Sequence, residues 1–180
     1  VGEPASRVVR CEIPEGSLLQ RCVSEGVFAD CYCTALPVRV SHAEYVEAFY
    51  TTPVFKAERW LLKWAVSRPS SDRDAHQLAI GASHTFAAWR VEGRDANELL
   101  LADFTGRTKS WLMATAIDSG NDSAGTRLYF GSAVVPVRRA DSRARELGFA
   151  FHSLLGFHKL YSRVLLSAAR ARVARLNASA

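Results

Sequence analysis

Alternation of apolar and polar positions opens the chain. Val9, Cys11 and Ile13 alternate with Arg10 and Glu12, so Arg7 to Ile13 predicts a strand, ended by Pro14-Glu15-Gly16. A second strand is predicted from Phe28 to Val40, a stretch rich in β-branched and aromatic residues. Ser41, with Glu44 three residues on, has the form of a capping box, and Tyr45, Val46 and Phe49 follow on one short helix. Thr52-Pro53 starts another, with proline at the first helical position. Its apolar residues Phe55, Trp60, Leu61, Trp64 and Ala65 keep helical spacing until Pro69-Ser70-Ser71. Asp72 to Ser83 fits either a short helix or a loop. From His84 the period returns to two, and Thr85, Ala87, Trp89 and Val91 share one face of a strand. Turn residues from Gly93 to Asn97 lead to a strand from Glu98 to Phe104; Thr105-Gly106-Arg107 leads to the next, Thr108 to Ile117. Asp118 to Gly125 predicts a mobile loop before the last strand, Thr126 to Val137. Connections this short imply an antiparallel meander.

Two departures from simple alternation carry information. Leu99-Leu100-Leu101-Ala102 is apolar on both faces, so either both sides are covered or the outer side meets another chain, including a second copy. From Ser142 to Leu176 the period becomes helical, with Leu147, Phe151, Leu154, His158, Tyr161, Leu165 and Ala168 forming one stripe. Gly148 and Gly156 interrupt it, at ~1 kcal/mol each relative to Ala if the helix is continuous. The expected fold is α+β: a curved antiparallel β-sheet wrapped on a long C-terminal α-helix, with two short helices after the opening strands, all in a single domain over 1–180. One helix does not fill a strongly curved concave face, so a cavity between them is expected.

Composition narrows this picture only a little. The net charge is +5, and it is concentrated: Arg138 to Arg175 holds nine Lys/Arg against two Asp/Glu. A basic C-terminal helix could meet phosphates or an anionic membrane, or simply present a solvated face. No stretch reaches the ~20 apolar residues of a transmembrane helix. The most apolar helical segment, Leu147 to Ala169, carries His152, His158, Lys159 and Arg163. Pro4 and nearby charges break any apolar run at the start, so a cytoplasmic protein is expected. Cys31 and Cys33 flank Tyr32 on one strand face, and Cys11 and Cys22 complete the set. Without Cys-x-x-Cys or paired histidines, the expectation is reduced, packed thiols, with disulfides or a metal as the competing readings.

The stretch Asn97-Glu-Leu-Leu-Leu-Ala-Asp-Phe-Thr-Gly-Arg-Thr-Lys-Ser-Trp-Leu112 and the ending Gly156-Phe-His-Lys-Leu-Tyr-Ser-Arg-Val-Leu-Leu166 resemble a family of bacterial proteins of unknown function. The element order resembles the helix-grip fold of the START, Bet v 1 and polyketide-cyclase superfamily (SRPBCC), over about Val38 to Arg172. That resemblance implies a cavity facing the C-terminal helix. It does not select among lipid carriers, small-molecule binders, cyclases and oxygenase subunits. About six strands are legible here, whereas the helix-grip sheet has seven.

Within that frame, His158 lies on the apolar stripe between Leu154 and Tyr161, where it would hydrogen-bond a ligand's polar head or act as a general base; a core histidine paired to its neighbours is the alternative. Asp103, Arg107 and Lys109 surround a tight turn and form either an anion clamp or a hairpin-stabilising ion pair; an inward Asp103 would need Arg90 or Arg107. Trp89, Trp111, Met113 and Tyr129 on the meander strands line a pocket or belong to ordinary core. Nucleophile-elbow, zincin, P-loop and dinucleotide fingerprints are absent. The expected ligand-binding set is therefore Trp89, Asp103, Trp111, Met113, Tyr129, Leu154, His158 and Tyr161, with no cofactor and no metal. The leading expectation is a module that binds a hydrophobic or aromatic small molecule, or a lipid, under the C-terminal helix. The second is a metal-independent cyclase, dehydratase or hydrolase using His158 with Asp103 or Tyr129. The third is a protein or membrane interaction module working through the basic helix. Nucleic acid ranks last, because aromatic and basic residues do not interleave.

Overall fold

The structure is a computed structural model that describes residues 7–23, 27–57, 70–119, 123–135 and 144–178, and within these the side chains of all but 118–119, 123 and 144–160. Strand β1 (Val9–Arg10) is followed by helix α1 (Leu18–Cys22), β2 (Phe28–Leu36) and α2 (His42–Tyr50). After a helical turn at 53–57 come α3 (Asp72–Ala79), β3 (Thr85–Phe86), β4 (Trp89–Arg94) and β5 (Glu98–Asp103). Strands β6 (Thr108–Ser119) and β7 (Ser123–Val134) precede the long helix α4 (Ala144–Ala178). The seven strands form one antiparallel, curved sheet in the order β1-β2-β7-β6-β5-β4-β3. A register shift between Val91 and Gly93 marks a bulge in β4, which adds local bend and twist.

The local signals explain most boundaries. Ser41 and Glu44 form the expected capping box at α2: the Ser41 hydroxyl accepts from the Glu44 N–H, and the Glu44 carboxylate accepts from the Ser41 N–H at 2.7 Å. Ser71 and Asp74 do the same for α3, which resolves the ambiguous stretch after Asp72 as a helix. Arg94, the last residue of β4, reaches the end of α3 and donates to the carbonyls of Leu78 (2.6 Å) and Ala79 (3.4 Å), placing a cation at the carbonyl end of the helix. Helix α4 runs unbroken through Gly148 and Gly156, so neither glycine ends it.

Several sequence expectations are corrected. The opening strand is two residues long rather than reaching Ile13; beyond it only the Cys11 N–H continues the ladder, donating to Cys31 O at 3.0 Å. β2 stops at Leu36, short of Val40. The strand read from His84 is a hairpin, β3 and β4, folded at Ala87-Ala88 with Ala87 at φ +51°. A two-residue hairpin needs such a left-handed residue, and alanine gives no turn signal in sequence. This split supplies the seventh strand. The expected loop from Asp118 shrinks, because β6 and β7 pair out to Ser119 and Ser123. The rest of the helix expected after Pro53, with Trp60, Leu61, Trp64 and Ala65, lies outside the described residues.

Both faces of the sheet are covered, the first of the two readings that the apolar run Leu99 to Ala102 left open. Helices α2, α3 and α4 pack on one face, where Tyr32, Phe49, Tyr50, Leu99, Leu101, Leu112, Phe130, Leu165, Leu166 and Val173 form the larger core. The opposite face holds Cys31, Leu100, Trp111, Met113 and Ala133 beneath Leu19 of α1. That helix was not legible, since five residues are too few to show a period. Its seat is a glycine: a Cβ at Gly131 would collide with Leu19 Cδ2 and would lie 3.0 Å from Trp111 Cε3 and 3.1 Å from Asp30 O. Leu19 is therefore a knob in a hole that only glycine leaves open.

Candidate functional site

Strand register arranges the helix-facing side of the sheet in rows. One row, Tyr32, Phe130, Leu112 and Leu99, is apolar. It lies under the rings of α2, with Phe49 and Phe130 centroids 5.0 Å apart. The next row is different. Asp30 of β2 pairs with Ser132 of β7, which pairs with Ser110 of β6. All three are buried. The Ser132 hydroxyl donates to Asp30 Oδ1 at 2.7 Å, and the Tyr50 and Ser110 hydroxyls lie 3.4 Å apart. Three polar side chains aligned across three central strands, under an aromatic layer, are uncommon in a core that needs only packing, because each must be kept hydrogen-bonded. Further along the same face, Trp89 pairs with Asp103 at the end of the sheet, and its buried Nε1 has no hydrogen-bond partner among the described residues.

The structure divides the residues expected to form one site. Trp89 and Asp103 stand on the helix-facing side, and Tyr161 of α4 packs half-buried against the core of that side. Trp111, Met113 and Tyr129 are on the other face: Trp111 is 0 % exposed beneath α1, and Tyr129 tilts against it at 6.2 Å. Successive strand residues alternate faces, so with Leu112 toward the helices its neighbours Trp111 and Met113 must point away. They line no space beneath α4. The side chains of Leu154 and His158 lie outside the described residues.

Asp103 is committed to its turn. Its carboxylate accepts from the Thr105 hydroxyl at 2.8 Å, the Arg107 N–H at 2.9 Å and the Thr108 N–H at 3.3 Å, while Gly106 takes the left-handed φ of +72°. Partial burial pushes its pKa up, but those hydrogen bonds outweigh burial and hold it below the ordinary carboxylate value. Backbone donors and a hydroxyl thus take the place expected for an arginine. Lys109, the other cation of that expected clamp, turns to the α1 face and pairs with Glu92.

Sequence reasoning missed the row itself. Its one legible sign was Asp30, an acidic residue inside the otherwise apolar run Phe28-Ala29-Asp30-Cys31. Serines at 110 and 132 carry no signal until register aligns them. His42 was also missed. Its Nε2 is 3.3 Å from Leu112 O at the start of α2. Burial pushes its pKa down to about 4, the hydrogen bond to the Leu112 carbonyl opposes this, and the nearby Arg94 charge reinforces it. A neutral imidazole bonded to a backbone carbonyl fastens α2 to β6.

The second face is held by polar contacts as well. Buried Glu98 accepts from Trp111 Nε1 at 2.7 Å and from the Leu18 N–H, at the first turn of α1, at 2.8 Å. Among the described residues no group of three or more His, Cys, Asp and Glu is arranged to hold a metal ion, and no helix is long and apolar enough to cross a membrane. Two grooves open at the β1 edge: one of about 580 Å³ contains Arg10, Cys11, Asp30 and Cys31, and one of about 740 Å³ runs between Arg7-Val8 and the Arg163–Ala171 stretch of α4. Comparison with known protein families, curated proteins and solved structures finds no match to this chain.

Proposed function

We propose that the protein binds a small hydrophobic or aromatic molecule, or a lipid, between the helix-facing side of its sheet and α4, in the manner of helix-grip proteins. The observation that carries this reading is the buried polar row Asp30–Ser132–Ser110, with the Tyr50 hydroxyl beside it, set among aromatic and aliphatic side chains. A binding site of this class combines an apolar lining with a few fixed polar groups that orient the guest. The order of elements, with a curved antiparallel sheet and a long closing helix, supports it. So does the half-buried Trp89, whose buried indole N–H is a donor suited to a ligand carbonyl or hydroxyl.

The test is direct. Thermal shift and calorimetry with fatty acids and with aromatic polyketides should identify a class that raises the melting temperature. Trp89→Phe keeps a ring but removes the N–H, and should weaken that ligand about fivefold to tenfold, the worth of ~1 kcal/mol. Ser110→Ala should weaken it as well. If no ligand of either class shifts the melting temperature, and native mass spectrometry of the protein from cells shows no bound small molecule, the proposal fails.

A further inference from the structure

Three of the four cysteines meet at one edge of the sheet. Cys31 and Cys33 project from β2 to the α1 face, and Cys11 follows β1 beside them. All are free thiols. The Cys11 and Cys31 sulfurs are 3.4 Å apart, and the residues lie 20 apart in sequence. The Cys11 N–H donates to the Cys31 carbonyl at 3.0 Å, so the two stand directly opposite in the antiparallel ladder. A hydrogen-bonded antiparallel pair has its Cα atoms ~5.5 Å apart, inside the ~4.4–6.8 Å window that a disulfide spans. Cys33, also in hydrogen-bonding contact with Cys11, is opposite Val9 and so diagonal to Cys11. Diagonal pairs sit ~7–8 Å apart, at or beyond that window.

We propose that Cys11 and Cys31 form a reversible disulfide under oxidising conditions, stapling the edge segment to β2 and closing the chain over α1. The oxidant is a low-molecular-weight disulfide of the glutathione class. Both residues line the 580 Å³ groove, but Cys11 is partly exposed, whereas Cys31 is 1 % exposed. Cys11 is therefore the entry thiol and Cys31 the resolving one. The Cys11 thiolate attacks one sulfur of the small disulfide, breaking its S–S bond, forming a mixed disulfide and releasing one small thiol. Cys31, giving its proton to water, then attacks Cys11 Sγ and expels the second. Two protein thiols lose two protons and two electrons, and one small disulfide becomes two thiols.

The Cys11 thiol donates to Cys31 Sγ, and this hydrogen bond, followed by burial, pushes the Cys11 pKa strongly up, while burial first, then the contact with Cys11, pushes Cys33 up to about 11. Thiolate is scarce at neutral pH, so exchange is slow. The pair follows a sustained redox poise rather than brief pulses. What the bond controls is the segment bearing α1, because Ser17 and Leu18 begin that helix six and seven residues after Cys11. The staple keeps Leu19 in the Gly131 hole when the short edge strand would otherwise fray.

The experiment incubates the full chain at graded ratios of oxidised to reduced glutathione and maps linkages by peptide mass spectrometry without reduction. The expected product is a Cys11–Cys31 link, with the mass lowered by two hydrogens and no glutathione retained. Cys31→Ser should leave glutathione on Cys11. Tryptic cleavage at Arg21 should slow at least tenfold in the oxidised protein and stay unchanged in the oxidised Cys31→Ser variant. Should that variant fail to fold, the double variant Cys22→Ser/Cys33→Ser, which keeps the pair, should still close. Links dominated by Cys22 or Cys33, glutathione retained on Cys11 of the unaltered chain, or no closure in the double variant would each overturn the proposal.

Discussion

Filling the hole at Gly131 tests how α1 is held on the sheet. In Gly131→Ala the new methyl overlaps Leu19 Cδ2 and presses on Trp111 Cε3 at 3.0 Å and on the Asp30 carbonyl at 3.1 Å. The leucine end can swing away, but the indole is wholly buried and the carbonyl belongs to a central strand. Overpacking of this kind costs ~1–3 kcal/mol. Leu19→Ala removes the knob instead and leaves a cavity, at ~2–5 kcal/mol. If the two sites were independent, taking ~2 and ~3 kcal/mol, the double variant would lose ~5. The structure predicts less, ~3 kcal/mol, because truncating Leu19 removes the worst of the three contacts, a coupling of ~2 kcal/mol in favour of the pair. Urea unfolding followed by tryptophan emission measures all four corners of the cycle. The single Gly131→Ala change should also lower the melting temperature by ~4–8 °C for a chain of this size. Strict additivity, or a neutral Gly131→Ala, would refute the knob-in-hole account and with it the tight seating of α1.

Other predictions concern the fastenings on each face. The His42 pKa is about 4 in the folded protein against 6.5 ordinarily. Its neutral ring therefore contributes stability that is whole above ~pH 6.5 and is lost as pH falls toward 4, because the unfolded chain takes up the proton first; the full loss is at most ~3 kcal/mol. His42→Gln should lose correspondingly less stability between pH 7 and 4, and identical slopes for the two proteins would exclude His42 as the cause. Glu98→Leu keeps much of the size of the side chain but removes the one oxygen, Oε2, that accepts from both Trp111 Nε1 and the Leu18 N–H. It should cost ~2 kcal/mol and speed amide exchange across Leu18–Cys22, whereas unchanged protection there would contradict the assignment of Glu98 as the anchor of α1. Closing the Cys11–Cys31 link should stabilise the protein by ~3 kcal/mol in the chain-entropy picture, measured as a higher urea midpoint in the oxidised form than in the reduced one.

Local chemistry written into the chain determined a good deal. The Ser41–Glu44 box starts α2 where the pattern says it should, because a cap needs only residues within one turn. The meander from Glu98 to Val134 and the long final helix are legible, because their periods repeat over enough residues to exceed chance. The run Leu99 to Ala102 showed that neither sheet face is simply wet but left open whether the outer one is covered within the chain or by another chain; the structure covers both from within. Tertiary structure decided the rest. Alternation says that Trp111 and Leu112 point oppositely, but not which of them faces the larger helical layer; that depends on where the helices pack, which no local rule contains. The Asp30–Ser132–Ser110 row joins residues up to 102 apart in sequence, and the Cys11–Cys31 contact depends on the pairing of an edge strand only two residues long. Such sites arise from register between distant strands, and register is set by the packing of the whole sheet rather than by any segment of it.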